Sequence, residues 1–179
     1  MDSAQAPAED DVCLAERKHD ATSTTWGINR DVSLMIINNS GKNMIKPQYV
    51  TSSGRIDSNP PSSIPTFTQS YQIWFKKNFG LRGSEGVLSY EIENTEKRLF
   101  IFYSNPFLGH NGFRLMIKSR YVATDLNQSN KMLHDEWPMR NEMSERSTGS
   151  DDHNYFATGN MSQGDPAKLT VYLKTKQKL

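Results

Sequence analysis

The residues best suited to bind a metal ion are few and widely spaced in this sequence. Its histidines are His19, His110, His134 and His153, and Cys13 is its single cysteine. A tetrahedral zinc site draws on closely spaced nitrogen and sulfur ligands, typically a pair of histidines one helical turn apart or paired cysteines. Neither spacing occurs. We therefore expect no metal site and no cofactor.

Two other stretches have part of the composition of a ligand loop. GSDDHN at 149–154 gathers carboxylates and small polar residues, but it lacks the twelve-residue periodicity and the closing glutamate of a calcium loop. A solvated loop is the favoured interpretation. GLRGSEG at 80–86 lacks the lysine, and the hydroxyl residue directly after it, that a phosphate-binding loop requires, and no Gly-x-Ser-x-Gly nucleophile motif is present. Because no catalytic constellation emerges, we expect a binding protein and not an enzyme.

An aromatic and basic patch lies at Trp74, Lys76, Lys77 and Phe79. A tryptophan beside lysines can lie at a bilayer interface or stack on a sugar or a base. Alternatively, a neighbouring loop covers Trp74 while the lysines protect the edge of a sheet. We favour the second interpretation.

Composition limits the remaining possibilities. A chain of 179 residues with 35% hydrophobic residues can bury one ordinary core. A net charge of +1 gives no general attraction to nucleic acid or to an anionic membrane, so we expect no nucleic-acid partner. The chain has no apolar secretory segment near its start and no run of 18 apolar residues. These features predict a cytoplasmic protein, or one released without a recognisable signal peptide.

The first 25 residues differ from the rest of the chain. They carry six acidic and two basic residues, with Val12 and Leu14 as their only strong aliphatic side chains. So little apolar surface does not offset the entropy lost on ordering. We expect residues 1–25 to be a disordered or frayed leader and residues 26–179 to form one domain.

Alternation of apolar and polar residues predicts a series of short strands. Val32, Leu34 and Ile36 alternate with their neighbours before a turn at 38–41, after which a second strand is expected. Further strands are predicted at 71–76, 87–93, 98–104, 112–119 and 168–175. The strands at 87–93 and 98–104 form a hairpin across a short polar gap.

Other segments complete the predicted architecture. Residues 51–65, rich in Ser, Gly and Pro, are predicted as loop or sheet edge, and 140–160 as polar loop. A helix is predicted at 129–137, capped by Ser129 or Asn130. Short strands separated by turns, with so little helix, predict an all-β fold: an antiparallel β-sandwich flanked by one or two short α-helices.

Five stretches, in their order and spacing, resemble the actinoporin family, the pore-forming cytolysins of sea-anemone type. They are RDVSLMIINNSGK (30–42), GVLSYEI (86–92), LFIFYSNPF (99–107), GFRLMIK (112–118) and KMLHDEW (131–137). The resemblance implies a β-sandwich with two short helices and a site for phosphocholine headgroups at one end. It also implies an N-terminal amphipathic helix that enters the bilayer, where several copies assemble into a cation-conducting pore.

The resemblance also implies particular site residues. Ser104 and Pro106 match the serine and proline that line the family's headgroup site, and Ser53 matches a second lining serine by its order along the chain. Hydroxyl groups can donate to phosphate oxygens. The family's membrane-inserting loop follows the proline. Its counterpart here begins at Phe107, and the candidate membrane contacts are Phe107, Leu108, His110 and Phe113.

The chain also departs from the family pattern. Glu85 stands where the family has a valine, and its carboxylate would repel a phosphate. The family's tyrosines near the second helix are replaced by Leu133, Trp137 and Pro138 or their close neighbours. The aromatic rings left to hold a quaternary ammonium are Trp137, Phe107 and Phe113, each of which could equally belong to the core.

The leader is a further departure from the family. A membrane-spanning helix needs about 20 largely apolar residues, and each acid at its centre costs on the order of 2.5 to 3.5 kcal/mol. Residues 2–20 contain Pro7 and six carboxylates, so we expect weak or absent pore formation unless those acids face a wet lumen.

Two functions remain open at this stage. The first is a membrane-lipid-binding protein that recognises phosphocholine or sphingomyelin headgroups at a target membrane, with homo-oligomerisation into a pore as its extension. The alternative is a non-lytic, lectin-like or headgroup-binding module that recognises a carbohydrate or another headgroup on the same scaffold. Either function uses the end of the sandwich at Ser53, Ser104 and Trp137.

Overall fold

The structure is a computed structural model that describes residues 30–76, 82–134 and 155–175. The predicted leader at 1–25 lies outside these ranges, as do Trp137 and Pro138. The boundaries of the domain at 26–179 therefore stay a prediction.

The described part of the chain contains eleven strands and one helix. The strands are β1 (Val32–Asn39), β2 (Met44–Ser53), β3 (Arg55–Ile56), β4 (Ser63–Ile64), β5 (Thr68–Gln69), β6 (Ile73–Lys76), β7 (Ser84–Ile92), β8 (Lys97–Asn105), β9 (Gly112–Ser119), β10 (Tyr155–Met161) and β11 (Ala167–Thr175). The helix α1 spans Leu126–His134, between β9 and β10 along the chain.

These strands form two sheets. Among the described residues, the first sheet has the order β10–β11–β1–β6–β3, with β5 also paired to β1, and the second has the order β4–β2–β7–β8–β9. All pairs are antiparallel except β1 and β11, which run parallel from Val32 opposite Ala167 to Asn39 opposite Lys174. The predicted β-sandwich with a short flanking helix is confirmed, with one parallel pair added.

The core lies between the two sheets and follows the period of the strands. Val32, Leu34 and Ile36 of β1 are fully buried, as the alternation predicted. They share one cluster with inward side chains of the second sheet, which include Leu99, Ile101 and Tyr103 of β8. The inner faces of both sheets thus pack into a single core.

The second sheet is covered on its outer face as well. Val87, Phe100 and Phe102 form a separate buried cluster against Val50, Met116 and Val122. The helix α1 contacts β2, β7 and β8. Strands β7 and β8 are therefore buried on both faces, which explains their nearly continuous apolar sequence.

The helix begins earlier than predicted. The Asp125 carboxylate accepts a hydrogen bond from the backbone N–H of Gln128 at 2.7 Å, and its carbonyl accepts one from that of Ser129 at 3.0 Å. Asp125 is thus the N-terminal cap, and the predicted cap at Ser129 or Asn130 is wrong.

Strand β10 occupies part of the segment that was predicted as polar loop. Its inward positions include Ala157, with a single methyl group, and Gly159, with no side chain, and both give a weak apolar signal. Gly159 faces the opposite sheet, and a Cβ there would lie 3.0 Å from the ring of Phe113. The sheets approach so closely at this point that only a small residue fits.

The described residues include part of the aromatic and basic patch, namely Trp74 and Lys76. Strand β6 pairs with both β1 and β3, so the interpretation of its lysines as protection of a sheet edge is wrong for Lys76. The Lys76 ammonium instead forms an ion pair with Asp57 at 3.1 Å. Trp74 is half-buried, and the Ser58 hydroxyl accepts a hydrogen bond from its backbone N–H at 2.8 Å.

Candidate functional site

A groove opens where β2 ends, β7 begins and β8 ends. The antiparallel register places Ser53 opposite Glu85, and Glu85 opposite Ser104. Residues that are far apart in sequence therefore lie side by side across three strands. The groove has a volume of about 380 Å³, and its lining residues are Ser53, Arg82, Gly83, Ser84, Glu85, Ser104, Pro106, Phe107 and Leu108.

The Glu85 carboxylate organises the polar part of this groove. Its two oxygens accept hydrogen bonds from the hydroxyl of Ser52 at 2.7 Å and from that of Ser104 at 3.1 Å. The neighbouring Ser53 hydroxyl donates to the carbonyl of Gly83 at 2.7 Å. Because a serine hydroxyl has one hydrogen to donate, all three hydroxyls are engaged by acceptors of the protein itself.

Sequence reasoning missed Ser52 and Arg82. The register of β2 against β7 shifts between Thr51 and Ser53, a β-bulge that lets consecutive serines reach the same end of the sheet. Strict alternation would have placed them on opposite faces. Arg82 was overlooked because it belongs to a glycine-rich stretch that was judged only as a phosphate-binding loop.

A single glycine allows the two sides of the groove to meet. A Cβ at Gly83 would overlap the carbonyl of Asn105 and lie 2.7 Å from the Cα of Pro106. Any side chain at this position would push the start of β7 away from the end of β8.

The corner that follows β8 is tied to the start of β1. The buried amide of Asn105 donates to the carbonyl of Asp31 at 2.9 Å. The Arg30 guanidinium donates to the carbonyl of Phe107 at 3.1 Å and lies 6.0 Å from the centre of the Phe107 ring. Pro106 supplies a rigid wall between these two anchors. The interruption between β8 and β9 is thus a fixed corner that also lines the groove.

Tyr103 lies in the core next to the groove. Its ring centre is 4.2 Å from that of Phe75, and its buried hydroxyl has no hydrogen-bond partner among the described residues. Burial raises the pKa of this phenol well above its ordinary value, and the negative charge of Glu85 raises it further. Tyr103 therefore stays neutral, as expected for a structural residue.

The structure brings together most of the predicted site residues. Ser53, Glu85, Ser104, Pro106, Phe107 and Leu108 all line the groove. His110 is exposed in the same corner, and Phe113 packs against the core, so neither is part of the groove lining. Trp137 lies outside the described residues. The binding roles of all these residues stay predictions.

Leu108 forms an exposed apolar lip on the groove. Its side chain is 83% exposed, the highest value among the large hydrophobic residues in the described part of the chain. Phe67 is 75% exposed, but its backbone N–H donates to Asn38, near the end of β1 that lies farthest from the groove.

A second groove of about 580 Å³ lies beside the connection from β9 to α1. Its lining residues are Pro47, Gln48, Tyr49, Arg120, Tyr121, Val122, Ala123 and Thr124. Tyr49 and Tyr121 are 42% and 74% exposed, and the Arg120 guanidinium lies 5.0 Å from the ring centre of Tyr121. No sequence feature had pointed to this groove.

No protein-family model and no curated protein sequence matches the chain. Solved structures do. One match is the lipid binding protein Nakanori, with a TM-score of 0.70 and 14% sequence identity over 93% of this chain and 80% of that one. Another is the Xerocomus chrysenteron lectin XCL, with a TM-score of 0.58 and 11% identity over 82% of this chain and all of that one. The chain shares its fold with both proteins.

Two further observations concern the described residues alone. Their helix is too short and too polar to cross a membrane. No three of their histidine and acidic residues come together as a metal-binding group.

Proposed function

We propose that the chain is a membrane-lipid-binding protein that takes a zwitterionic phospholipid headgroup in the groove at Ser53, Glu85 and Ser104. The observation that carries the proposal is the combination of opposite charges and an apolar lip. Arg82 and Glu85 line one groove, and Leu108 is exposed at its edge. A phosphate near Arg82 and an ammonium near Glu85 would satisfy both charges.

The position of Leu108 supports contact with a membrane. A headgroup that enters the groove would bring the bilayer interface to this lip, where the leucine side chain can leave water. Burying a leucine contributes about 1.5 to 3 kcal/mol, which is about a tenfold gain in affinity or more. The shared fold of the lipid binding protein Nakanori supports the same function. In this proposal the protein reaches its target membrane from water and binds without performing catalysis.

The actinoporin-like character of the chain forms part of this proposal. Its support is the match of Ser53, Ser104 and Pro106 in one groove together with the β-sandwich. Assembly of several copies into a pore would be a further step after lipid binding. The acidic leader argues against its efficient insertion into a bilayer. We propose lipid binding as the function and only weak pore formation.

Vesicle binding by a Leu108→Ser variant tests the proposal. We expect the natural chain to float with zwitterionic phospholipid vesicles and the variant to bind at least about tenfold more weakly, since the lip loses its apolar side chain. Phe67→Ser is the matched control, because it removes a similarly exposed apolar side chain remote from the groove. Equal losses in both variants, or no binding by the natural chain, would refute lipid binding at this groove.

Carbohydrate binding is the second candidate function, and the groove at Tyr49 and Tyr121 favours it. Exposed tyrosine rings offer flat apolar faces with polar edges, and Gln48 and Arg120 add hydrogen-bonding groups. The Xerocomus chrysenteron lectin has the same fold. Binding to a glycan array, lost in Tyr121→Ala and accompanied by no vesicle binding, would favour this candidate over the first.

A further inference from the structure

The ammonium end of a zwitterionic headgroup can be recognised in two ways. A quaternary ammonium has no N–H group, and proteins hold it in a cage of aromatic rings. A primary ammonium has three N–H donors, and a carboxylate that accepts them forms short, charge-assisted hydrogen bonds. The side chains that line the groove therefore indicate which kind of ammonium fits.

Aromatic rings are scarce among the described residues that line this groove. Among the described residues, Phe107 is the one aromatic side chain in its lining. The Arg30 guanidinium already lies near this ring, 6.0 Å from its centre, and is held there by its hydrogen bond to the Phe107 carbonyl. A ligand cation near the same ring would meet a like charge. The described lining of the groove thus contains no cage of aromatic rings for a quaternary ammonium.

The carboxylate of Glu85, in contrast, is well prepared to accept hydrogen bonds. Ser52 and Ser104 hold it by one hydroxyl on each oxygen, so its orientation is fixed before a ligand arrives. A carboxylate has about four lone-pair sites, and two hydroxyls leave the others for a ligand. Glu85 is half-buried in the groove lining, where a charged hydrogen bond is stronger than in open water.

The same contacts change what the serines can do for a phosphate. Both hydroxyl hydrogens point to Glu85, so neither donates to an anion while the carboxylate is in place. Arg82 is the cation in the described groove lining. A phosphate would therefore bind at Arg82, away from Glu85, which leaves the ammonium for Glu85.

We infer that the groove selects headgroups with a primary ammonium, of the phosphoethanolamine type, over those with a quaternary ammonium, and that Glu85 determines this specificity. The inference rests on the proposed function, because it names the headgroup class that the same groove would take. Arg82 binds the phosphate that both classes share, so it contributes affinity without selectivity.

Titration of the full chain with soluble headgroups tests this inference. The ligands are phosphoethanolamine, its N-methyl and N,N-dimethyl derivatives, and phosphocholine, followed by protein-detected NMR. We expect affinity to fall with each added methyl group, by about tenfold in all, because each methyl replaces an N–H donor to the carboxylate. Equal or rising affinity along the series would overturn the inference.

Three variants separate the contributions of the two charges. Glu85→Gln keeps the shape and can keep both serine contacts, and we expect it to abolish the preference for phosphoethanolamine. Arg82→Gln should weaken all four ligands alike. Glu96→Gln is the matched control, because Glu96 is an exposed acid in the turn at the opposite end of the β7–β8 hairpin. This variant should bind all four ligands as the natural chain does. A preference that survives in Glu85→Gln would overturn the role of Glu85.

Vesicles distinguish a lipid ligand from the free headgroup. Vesicles of phosphatidylcholine alone are compared with vesicles in which half of the lipid is phosphatidylethanolamine. We expect several-fold stronger binding to the mixed vesicles, and loss of that difference in Glu85→Gln. Equal binding to both vesicle types refutes the headgroup preference but leaves lipid binding intact. Binding to neither refutes lipid binding itself, whereas binding of soluble phosphoethanolamine alone refutes a membrane source for the ligand.

Discussion

At the scale of single residues, one carboxylate decides how the predicted headgroup site works. Ser104 and Pro106 both line the groove, and the Ser104 hydroxyl donates to Glu85. A valine at position 85, as in the family, would leave the serine hydroxyls free to donate to a phosphate. With a valine at position 85 the serines could bind a phosphate, whereas with Glu85 they hold its carboxylate in place.

Replacing this carboxylate should shift the preference of the groove. In Glu85→Val, we expect phosphocholine to bind about tenfold more tightly, because the hydroxyls of Ser52 and Ser104 are released and the repulsion of the phosphate is removed. Phosphoethanolamine should bind more weakly than it does to the natural chain. The same NMR titration measures both affinities, and thermal melting checks that the variant folds. Unchanged phosphocholine binding would count against the assignment of this site.

At the scale of secondary-structure elements, a buried ion pair holds the second sheet together away from the groove. The Arg98 side chain is 1% exposed, and its guanidinium contacts Glu91 at 2.9 Å, the Ser89 hydroxyl at 2.9 Å and the carbonyl of Lys46 at 3.2 Å. These contacts join β8 to β7 and β2. Removing one partner of a buried pair leaves the other charge without compensation.

The pKa of Glu91 makes this network sensitive to acid. Burial by itself would raise the pKa, but the hydrogen bonds and positive charges of Lys46 and Arg98 lower it below the ordinary value. A lowered pKa in the folded state means that the charged form stabilises the fold above the pKa of the unfolded chain. This contribution is lost as the pH falls through the folded-state pKa.

We therefore expect Glu91→Gln to lower the free energy of unfolding by about 3 kcal/mol near neutral pH. The difference from the natural chain should shrink in acid, where Glu91 of the natural chain takes up a proton. Urea unfolding at a series of pH values measures it. Glu96→Gln, which breaks an exposed ion pair with Arg120, should leave the free energy of unfolding nearly unchanged. A deficit that is independent of pH would contradict the stabilising role of the Glu91 charge.

At the scale of the whole molecule, the sandwich gathers the candidate binding features at one end. The ends of β2 and β8 and the start of β7 meet there, and Asn105 and Arg30 tie the corner after β8 to the start of β1. Leu108 projects from this end. A rigid scaffold that carries a groove and an apolar lip can approach a membrane without changing its own fold.

Membrane binding and membrane damage should therefore be separable. We expect the full chain to release little dye from sphingomyelin-containing vesicles, because a helix built from residues 2–20 would carry six carboxylates toward the bilayer. A chain that lacks residues 1–25 should bind vesicles as well as the full chain does, since the groove lies elsewhere. Efficient dye release that disappears with this deletion would show that the leader inserts after all.

Much of the architecture was predictable from local patterns. Strand β1 was recognised from the alternation at Val32, Leu34 and Ile36, and the hairpin of β7 and β8 from the short polar gap between two apolar runs. Strand β10 escaped because two of its buried positions, Ala157 and Gly159, give little apolar signal, and the sheets approach closely at Gly159. The start of α1 was misplaced because the capping role of Asp125 depends on its geometry.

The sequence predicted which residues belong to the candidate site, but not how their side chains contact one another. Sequence order and family resemblance selected Ser53, Glu85, Ser104 and Pro106, and the structure places them in one groove. Neither source of information indicated that Ser52 would hydrogen-bond to Glu85, because the place of Ser52 depends on a bulge in β2. The exposed pair Tyr49 and Tyr121 likewise becomes visible only when β2 lies beside the connection that leads to α1.

The sequence by itself determined the β-sandwich, because apolar residues repeated at the period of a strand can leave water only by facing another layer. It also places an acid, Glu85, where the actinoporin family that it resembles has a valine. The tertiary structure alone decided what this replacement does. Hydrogen bonds depend on distances of about 3 Å and on direction, and the register of three strands sets both. That register turns two serine hydroxyls toward Glu85 and makes the groove an acceptor of hydrogen bonds.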